Sequence, residues 1–148
     1  MVKKELFRSL RSILRVYNKS GEPIRAQYGL TEAELAVLDF IGTNPKLDTA
    51  RDITEYRLIP KANVSLAVDS LVEKGLIYRD QDELDRRRIH LRLTELGESL
   101  VPAIRRRRQE FQDVVFGGFT LRQREEYAKL SEKILRNAQK YLEEPEEE

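Results

Sequence analysis

The sequence contains no cysteine. Disulfides, thiol-based redox sensing and cysteine-ligated zinc are excluded at once, and a chain without thiols fits a reducing compartment. Histidine is almost as scarce, with His90 the only one. A transition-metal centre would need carboxylates for most of its ligands. A histidine-based nucleophile triad would rest on His90 alone. Glycine-rich phosphate loops are missing too, so neither an enzyme nor a bound cofactor is expected. No apolar run approaches the ~20 residues of a membrane span. The start, MVKKELFRSL, lacks the apolar centre of a secretory signal. The expectation is a cytosolic chain that does not engage a membrane.

Charge of one sign is also lacking. The 27 Lys and Arg residues nearly balance the 26 Asp and Glu residues, giving a net charge of +1. The distribution is less even than the sum. Arginines occupy positions 86–88 and 105–108, whereas glutamates fill five of the last six positions, 143–148. An acidic tail, expected to be disordered, conceals a basic body. The 148 residues make one ordinary domain, with 40% hydrophobic residues for a core. The charged fraction of 36% exceeds the roughly 25% usual in globular domains, which suits long solvated helices.

Hydrophobic spacing supplies the elements. Leu6, Phe7, Leu10, Ile13, Leu14 and Tyr17 predict an amphipathic helix to about Asn18, broken by Gly21 and Pro23. Ile24–Tyr28 reads as a further helical turn. Thr31 with Glu34 forms a capping-box signature ahead of a helix carrying Leu35, Leu38, Phe40 and Ile41, ending near Gly42–Pro45. After an extended piece at Lys46–Asp48, Thr49 with Asp52 opens a short helix over Ala50–Tyr56. A tight turn through Arg57–Ile59 leads to Pro60, which suits the first turn of the next helix. That helix buries Val64, Val68, Leu71 and Val72, and Gly75 stops it. Two strands follow, Leu76–Arg79 and Ile89–Leu93, joined by the loop Asp80–Arg88. In the second strand Ile89, Leu91 and Leu93 share one face and Arg88, His90 and Arg92 the other, which is expected to be cationic. Thr94 opens a long helix through Phe111 and Val115, within which Pro102 is expected to mark a kink or boundary. Gly117–Gly118 ends it, and Thr120 with Gln123 caps a last helix carrying Leu121, Tyr127, Leu130, Ile134, Leu135, Ala138, Tyr141 and Leu142.

Short helix, turn, second helix is helix-turn-helix order, and the strand pair after it is a wing. The fold class is mainly α with a small β-hairpin. At this point the chain resembles the multiple-antibiotic-resistance regulator (MarR) family of bacterial and archaeal transcription regulators. Asp85 to Gly97, DRRRIHLRLTELG, matches the family's wing pattern D-x-R-x-x-x-L-x-L-T-x-x-G, and Val68–Ile77 matches its usual recognition-helix end. The resemblance spans roughly residues 2–142. It implies a homodimer whose terminal helices interlock (about 2–28 and 98–142 here) and two winged helix-turn-helix lobes (about 31–97) on a pseudo-palindromic duplex, with a tail at 143–148. It further implies a repressor's role and a response to a small aromatic or phenolic effector. A C2 dimer suits half-sites about one helical turn apart.

Candidate contacts follow from the same frame. Over 60–74, the expected recognition helix, Asn63 suits an adenine edge or a phosphate, and Lys61 and Ser65 suit phosphates. The plainer reading is a solvated helix end. In the wing, 80–93, the family pattern makes Arg87 the residue that enters the minor groove. Asp85 is expected to orient an arginine by a bidentate contact, and Arg86 and Arg88 to hold phosphates. The plainer reading there is a solvated hairpin paired with Asp80, Asp82 and Glu83. Leu66 departs from the family, many of whose members carry arginine there.

Arg105–Arg108 circle their helix, so they read as a solvated stretch paired with Glu110 or a partner subunit. His90 reads as a surface or phosphate-contacting residue. Tyr17, Tyr28 and Arg25 fall near the place where family effectors bind, but plain packing explains them, and no ligand-binding residue is assigned. A second function class is a winged-helix protein-interaction module without specific DNA binding. Leu66 and the near-neutral total favour it; the basic wing opposes it.

Overall fold

A computed structural model describes residues 2–57 and 59–143. Along the chain run α1 (Val2–Ser20), α2 (Glu22–Tyr28), α3 (Glu32–Thr43), α4 (Ala50–Tyr56), α5 (Lys61–Glu73), β1 (Ile77–Gln81), β2 (Ile89–Leu93), α6 (Glu95–Val115) and α7 (Leu121–Glu143). The chain divides into two compact units between Phe111 and Gln112. Of the acidic tail, Glu143 closes α7 and residues 144–148 lie outside the described residues. Leu58, within the expected turn at Arg57–Ile59, lies outside them too. Among the described residues no helix is long and apolar enough to cross a membrane.

The core of the first unit is built around α3. Leu35, Val37, Leu38, Phe40 and Ile41 point in several directions from this helix and are all buried, as expected of a helix with little polar face. Ile24 of α2, Leu30, Ile53 of α4, Val64, Ala67, Val68 and Leu71 of α5, Leu76, Ile77 of β1, Leu91 of β2, and Leu100 and Ile104 of α6 complete the cluster. The helix starts are local chemistry. The Thr49 and Asp52 side chains bond each other's backbone N–H groups, and Thr120 with Gln123 does the same in the second unit. Thr31 caps α3 alone. Glu34 does not return the bond, because its buried carboxylate is taken by Lys74 at 2.5 Å and Ser70 at 3.3 Å.

The hairpin is antiparallel, with Asp80 opposite His90 and Tyr78 opposite Arg92. Strand β1 runs two residues further than expected, so Asp80 and Gln81 pair in the ladder. The backbone N–H of Leu91 donates to the carbonyl of Asp48 at 2.7 Å, which ties the segment before α4 to the outer side of β2. Pro60 stands just before α5 as its cap residue, with extended backbone. Helix α6 runs through Pro102 without a boundary.

The T-x-x-G segment has a mechanical explanation. The Thr94 hydroxyl donates to the Gly75 carbonyl at 2.6 Å and accepts from the Gly97 N–H at 3.1 Å. Its backbone N–H donates to the Leu76 carbonyl. One threonine thereby joins the end of α5, the start of the hairpin and the cap of α6. The last turn of α5 is released by Gly75, whose φ of +71° is the left-handed value glycine tolerates. Gly97 approaches so closely that a Cβ there would fall 2.1 Å from the Leu76 carbonyl oxygen.

The second unit is different in kind. Phe116 stacks edge-on against Phe119 and Tyr127, at 5.5 and 5.2 Å. Helix α7 itself buries no residue.

The Gly97 contact gives a direct test by urea unfolding. Gly97→Ala is expected to lose about 1–3 kcal/mol, the range of overpacking against a backbone that cannot retreat. Gly42→Ala, whose added Cβ meets only side-chain atoms at 3.6 and 3.7 Å, is expected to be neutral or slightly stabilising, because helical alanine outperforms glycine.

Candidate nucleic-acid interface

The side chains of Lys61, Asn63 and Ser65 all lie exposed at the start of α5, opposite the buried Val64, Val68 and Leu71. All three are open to solvent, but at 3.6 residues per turn Lys61 and Ser65 share one flank of α5 and Asn63 lies on the other. The wing candidates, Asp85 to Arg88, sit together in the hairpin loop and are also exposed.

That loop is braced by its own backbone. The Arg88 N–H donates to the Asp85 carbonyl at 2.9 Å, and the Asp82 N–H donates to the Arg88 carbonyl at 2.9 Å. Gln81 Nε2 holds the Arg86 carbonyl. The Asp82 carboxylate accepts from the Asp85 N–H, and the Asp85 carboxylate accepts from the Arg87 N–H at 3.0 Å. This corrects the expected role of Asp85. Its carboxylate turns the chain and does not grip a guanidinium, because the backbone donor two residues on is nearer and already fixed.

The expected cationic face of β2 is also corrected. His90 lies between two carboxylates, with Nδ1 2.8 Å from Asp48 and Nε2 3.0 Å from Asp82. Both partners only accept, so both ring nitrogens donate and the imidazolium is the favoured form. Hydrogen bonds to Asp48 and then Asp82 raise the His90 pKa above its ordinary 6.5. The same contact, with backbone donation from Asp85, holds Asp82 below the usual carboxylate value. Arg92 bonds Asp80 at 2.8 Å and approaches Asp48 at 3.6 Å. Arg79 of β1 is paired with Asp69 of α5. Low on the hairpin, every one of these cations is spoken for. At the tip, Arg86, Arg87 and Arg88 have no side-chain partner among the described residues.

A MarR family model matches residues 28–88, which include the helix-turn-helix and the wing tip. A MarR transcriptional regulator from Methanosarcina mazei Go1 superposes with a TM-score of 0.72 at 27% identity, over 95% of this chain and 97% of that one. Residues 28–88 are thus MarR-like, and the chain shares the winged helix-turn-helix fold of MarR regulators. YsmB of Bacillus subtilis strain 168, an uncharacterized HTH-type transcriptional regulator, is 24% identical over 116 residues, covering 78% of this chain and 79% of its own. The fold is shared with a MarR-family protein from Listeria monocytogenes complexed with a 26mer DNA. That likeness has a TM-score of 0.76 at 20% identity, over 93% of this chain and 88% of that one. These relatives are regulators, not enzymes.

Sequence reasoning missed the most buried polar site of this MarR-like chain. Asp39 is fully buried and accepts from the Tyr17 hydroxyl at 2.5 Å and from Arg57 at 3.3 Å. Arg107 reaches the same oxygen at 3.5 Å, and Arg108 Nε stands 2.9 Å from the other oxygen without the alignment of a hydrogen bond. The four-arginine run is therefore split: Arg105 and Arg106 are solvated as expected, whereas Arg107 is buried and Arg108 is half-buried beside Asp39. Arg107 is only 4% exposed and lies 3.9 Å from the Tyr17 ring centre. Burial, and next the Asp39 charge, push the Tyr17 phenol pKa up. Arg25 instead bonds the Asn18 carbonyl at 2.8 Å, and Tyr28 is exposed. The only sequence signal was an aspartate inside the apolar run from Leu35 to Ile41.

The His90 bridge predicts a pH dependence. Its folded pKa is raised, so its stabilising contribution is complete below the ordinary value of 6.5 and is lost as pH rises through the folded value. Protection of the hairpin amides, taken relative to their base-catalysed intrinsic exchange, should fall across that rise in the native chain. In His90→Gln that fall in protection should disappear.

Proposed function

We propose that this MarR-like chain is a dimeric repressor acting in the cytoplasm. Helix α5 enters the major groove and the wing enters the minor groove of a pseudo-palindromic operator. The observation that carries the reading is the partition of charge in the hairpin. Lower cations are neutralised by Asp48, Asp69, Asp80 and Asp82, and three guanidiniums are left free on a braced tip. A free arginine on a rigid loop suits the enhanced negative potential of a narrow minor groove, a role we give to Arg87. Arg86 and Arg88 then take phosphates, and Lys61, Asn63 and Ser65 face the major groove. Asp85 serves by shaping the loop.

The dimer reading is supported by apolar surface. In α1, Leu6, Phe7, Leu10 and Leu14 are exposed at helical spacing. In α7 the exposed set is Tyr127, Leu130, Ile134, Leu135, Tyr141 and Leu142. Such stripes are costly to leave in water, and a second copy offers the same surfaces. The domain scheme is accordingly a lobe at about 31–97 carried by dimerisation helices at about 2–28 and 98–142. The effector, a small aromatic or phenolic molecule, is the part of this reading supported by family resemblance alone.

Binding to DNA from upstream of the protein's own gene tests the assignment. Affinity should fall steeply with salt through counterion release. Arg87→Ala should weaken it by about tenfold or more, within the roughly 1–3 kcal/mol of one good groove contact, whereas Lys3→Ala should barely matter. Affinity that is flat in salt, or equal losses in the two variants, would remove the wing from the interface. Light scattering at micromolar concentration should show a dimer.

A further inference from the structure

Helix α5 has an unusual outward face for a helix placed against a polyanion. It contains no arginine. Lys74, just past its end, is committed to the Glu34 carboxylate and to the Gly29 carbonyl at 2.8 Å. Asp69 is committed to Arg79. Lys61 at the first helical residue is the remaining cation. At the summit of the face stands Leu66, 68% exposed. At 3.6 residues per turn it lies opposite Val64, Val68 and Leu71, which anchor the helix to the core. Ala62, one turn earlier, is small and exposed, so nothing on that side shields Leu66. Asn63 is exposed three residues before it, on the flank of the same face, and its amide has no partner among the described residues.

Resting on the DNA-binding reading above, we propose that Leu66 is a specificity-determining residue that packs on the 5-methyl group of a thymine, with Asn63 pairing to an adenine edge beside it. The chemistry leaves little room for another base. Guanine is read by a forked or cationic donor to O6 and N7, and the summit of α5 has none. Cytosine offers an amino donor, which needs an acceptor, and the nearest carboxylate, Asp69, is held by Arg79. Thymine alone presents a methyl group to the major groove, and an apolar side chain is its natural contact. Asparagine is the matching reader of adenine N6 and N7. The positions read by Leu66 and Asn63 are therefore A·T pairs, and discrimination at Leu66 comes from a methyl contact and not from charge.

The experiment begins with in vitro selection of duplex sites by the full-length protein, followed by replacement of each half-site thymine with deoxyuridine, which removes only the methyl. One replacement should weaken binding about fourfold, the value of a single buried methyl group. In Leu66→Ala the same replacement should have no effect, while the steep salt dependence persists. Leu66→Arg should shift selection at that position toward guanine. If salt-dependent binding to a selected site is intact but no uracil replacement matters, or if Leu66→Ala keeps the full sensitivity, Leu66 does not read a methyl and the proposal is overturned while the DNA reading stands. If no site is enriched and Leu66→Ala instead abolishes capture of a protein partner, both fall.

Discussion

One buried carboxylate holds this structure together. Asp39 sits in the middle of α3 with no exposure. It draws Tyr17 from α1, Arg57 from the end of α4, and Arg107 and Arg108 from α6. A buried charge is tolerable only when paired and hydrogen-bonded, and here the pairing is shared among several elements. The arginines outnumber the carboxylate, so the surplus is dispersed. Arg107 also donates to the Tyr17 carbonyl at 3.0 Å and to Ser20, and it lies over the Tyr17 ring. Arg57 is the residue that ends α4, where the turn of the helix-turn-helix begins. The same carboxylate that ties α1 to α6 therefore also fixes the entry to α5. Breaking such a buried network by removing one member generally costs about 3–5 kcal/mol, because the partners left behind stay buried and charged.

The hairpin repeats this economy at the surface. Asp48 arrives from the loop before α4, accepts from the Leu91 backbone through its carbonyl, and binds His90 through its carboxylate. Asp82 closes on His90 from the loop side. The histidine thus clamps the wing to the lobe, and Arg79 clamps it to α5. The exposed pairs among these, Arg79–Asp69 and Arg92–Asp80, stabilise weakly one by one. Their larger effect is on availability: with the lower cations occupied and the loop braced, the unpaired positive charge of the hairpin, among the described residues, is at Arg86–Arg88. Near-neutral net charge and a strongly basic tip are compatible for that reason.

Much of this could be read along the chain because the causes are local. Thr49, Thr94 and Thr120 cap helices through residues three positions away. Gly75 ends α5 because of its own φ. The spacing of Leu6, Leu10 and Leu14, or of Leu130 and Ile134, declares an apolar stripe whatever lies opposite. The motif from Asp85 to Gly97 located the wing, and Gly97 shows why the motif ends in glycine: the Leu76 backbone occupies the place of a Cβ.

What could not be read depends on partners far away in sequence. Four consecutive arginines look alike until Asp39, distant in the chain, draws Arg107 into the interior and Arg108 to its edge. His90 and Arg92 looked like a cationic face, yet carboxylates from another loop and from the opposite strand neutralise it. Asp85 looked like a partner for arginine and was taken by backbone. By itself the sequence determined the elements, their order, the caps and the apolar faces, since those follow from propensity and periodicity over a few residues. Only the tertiary structure decided which charges are buried, which are paired and which remain free. Pairing depends on distance in space, and the ion pairs that settle it here join different elements.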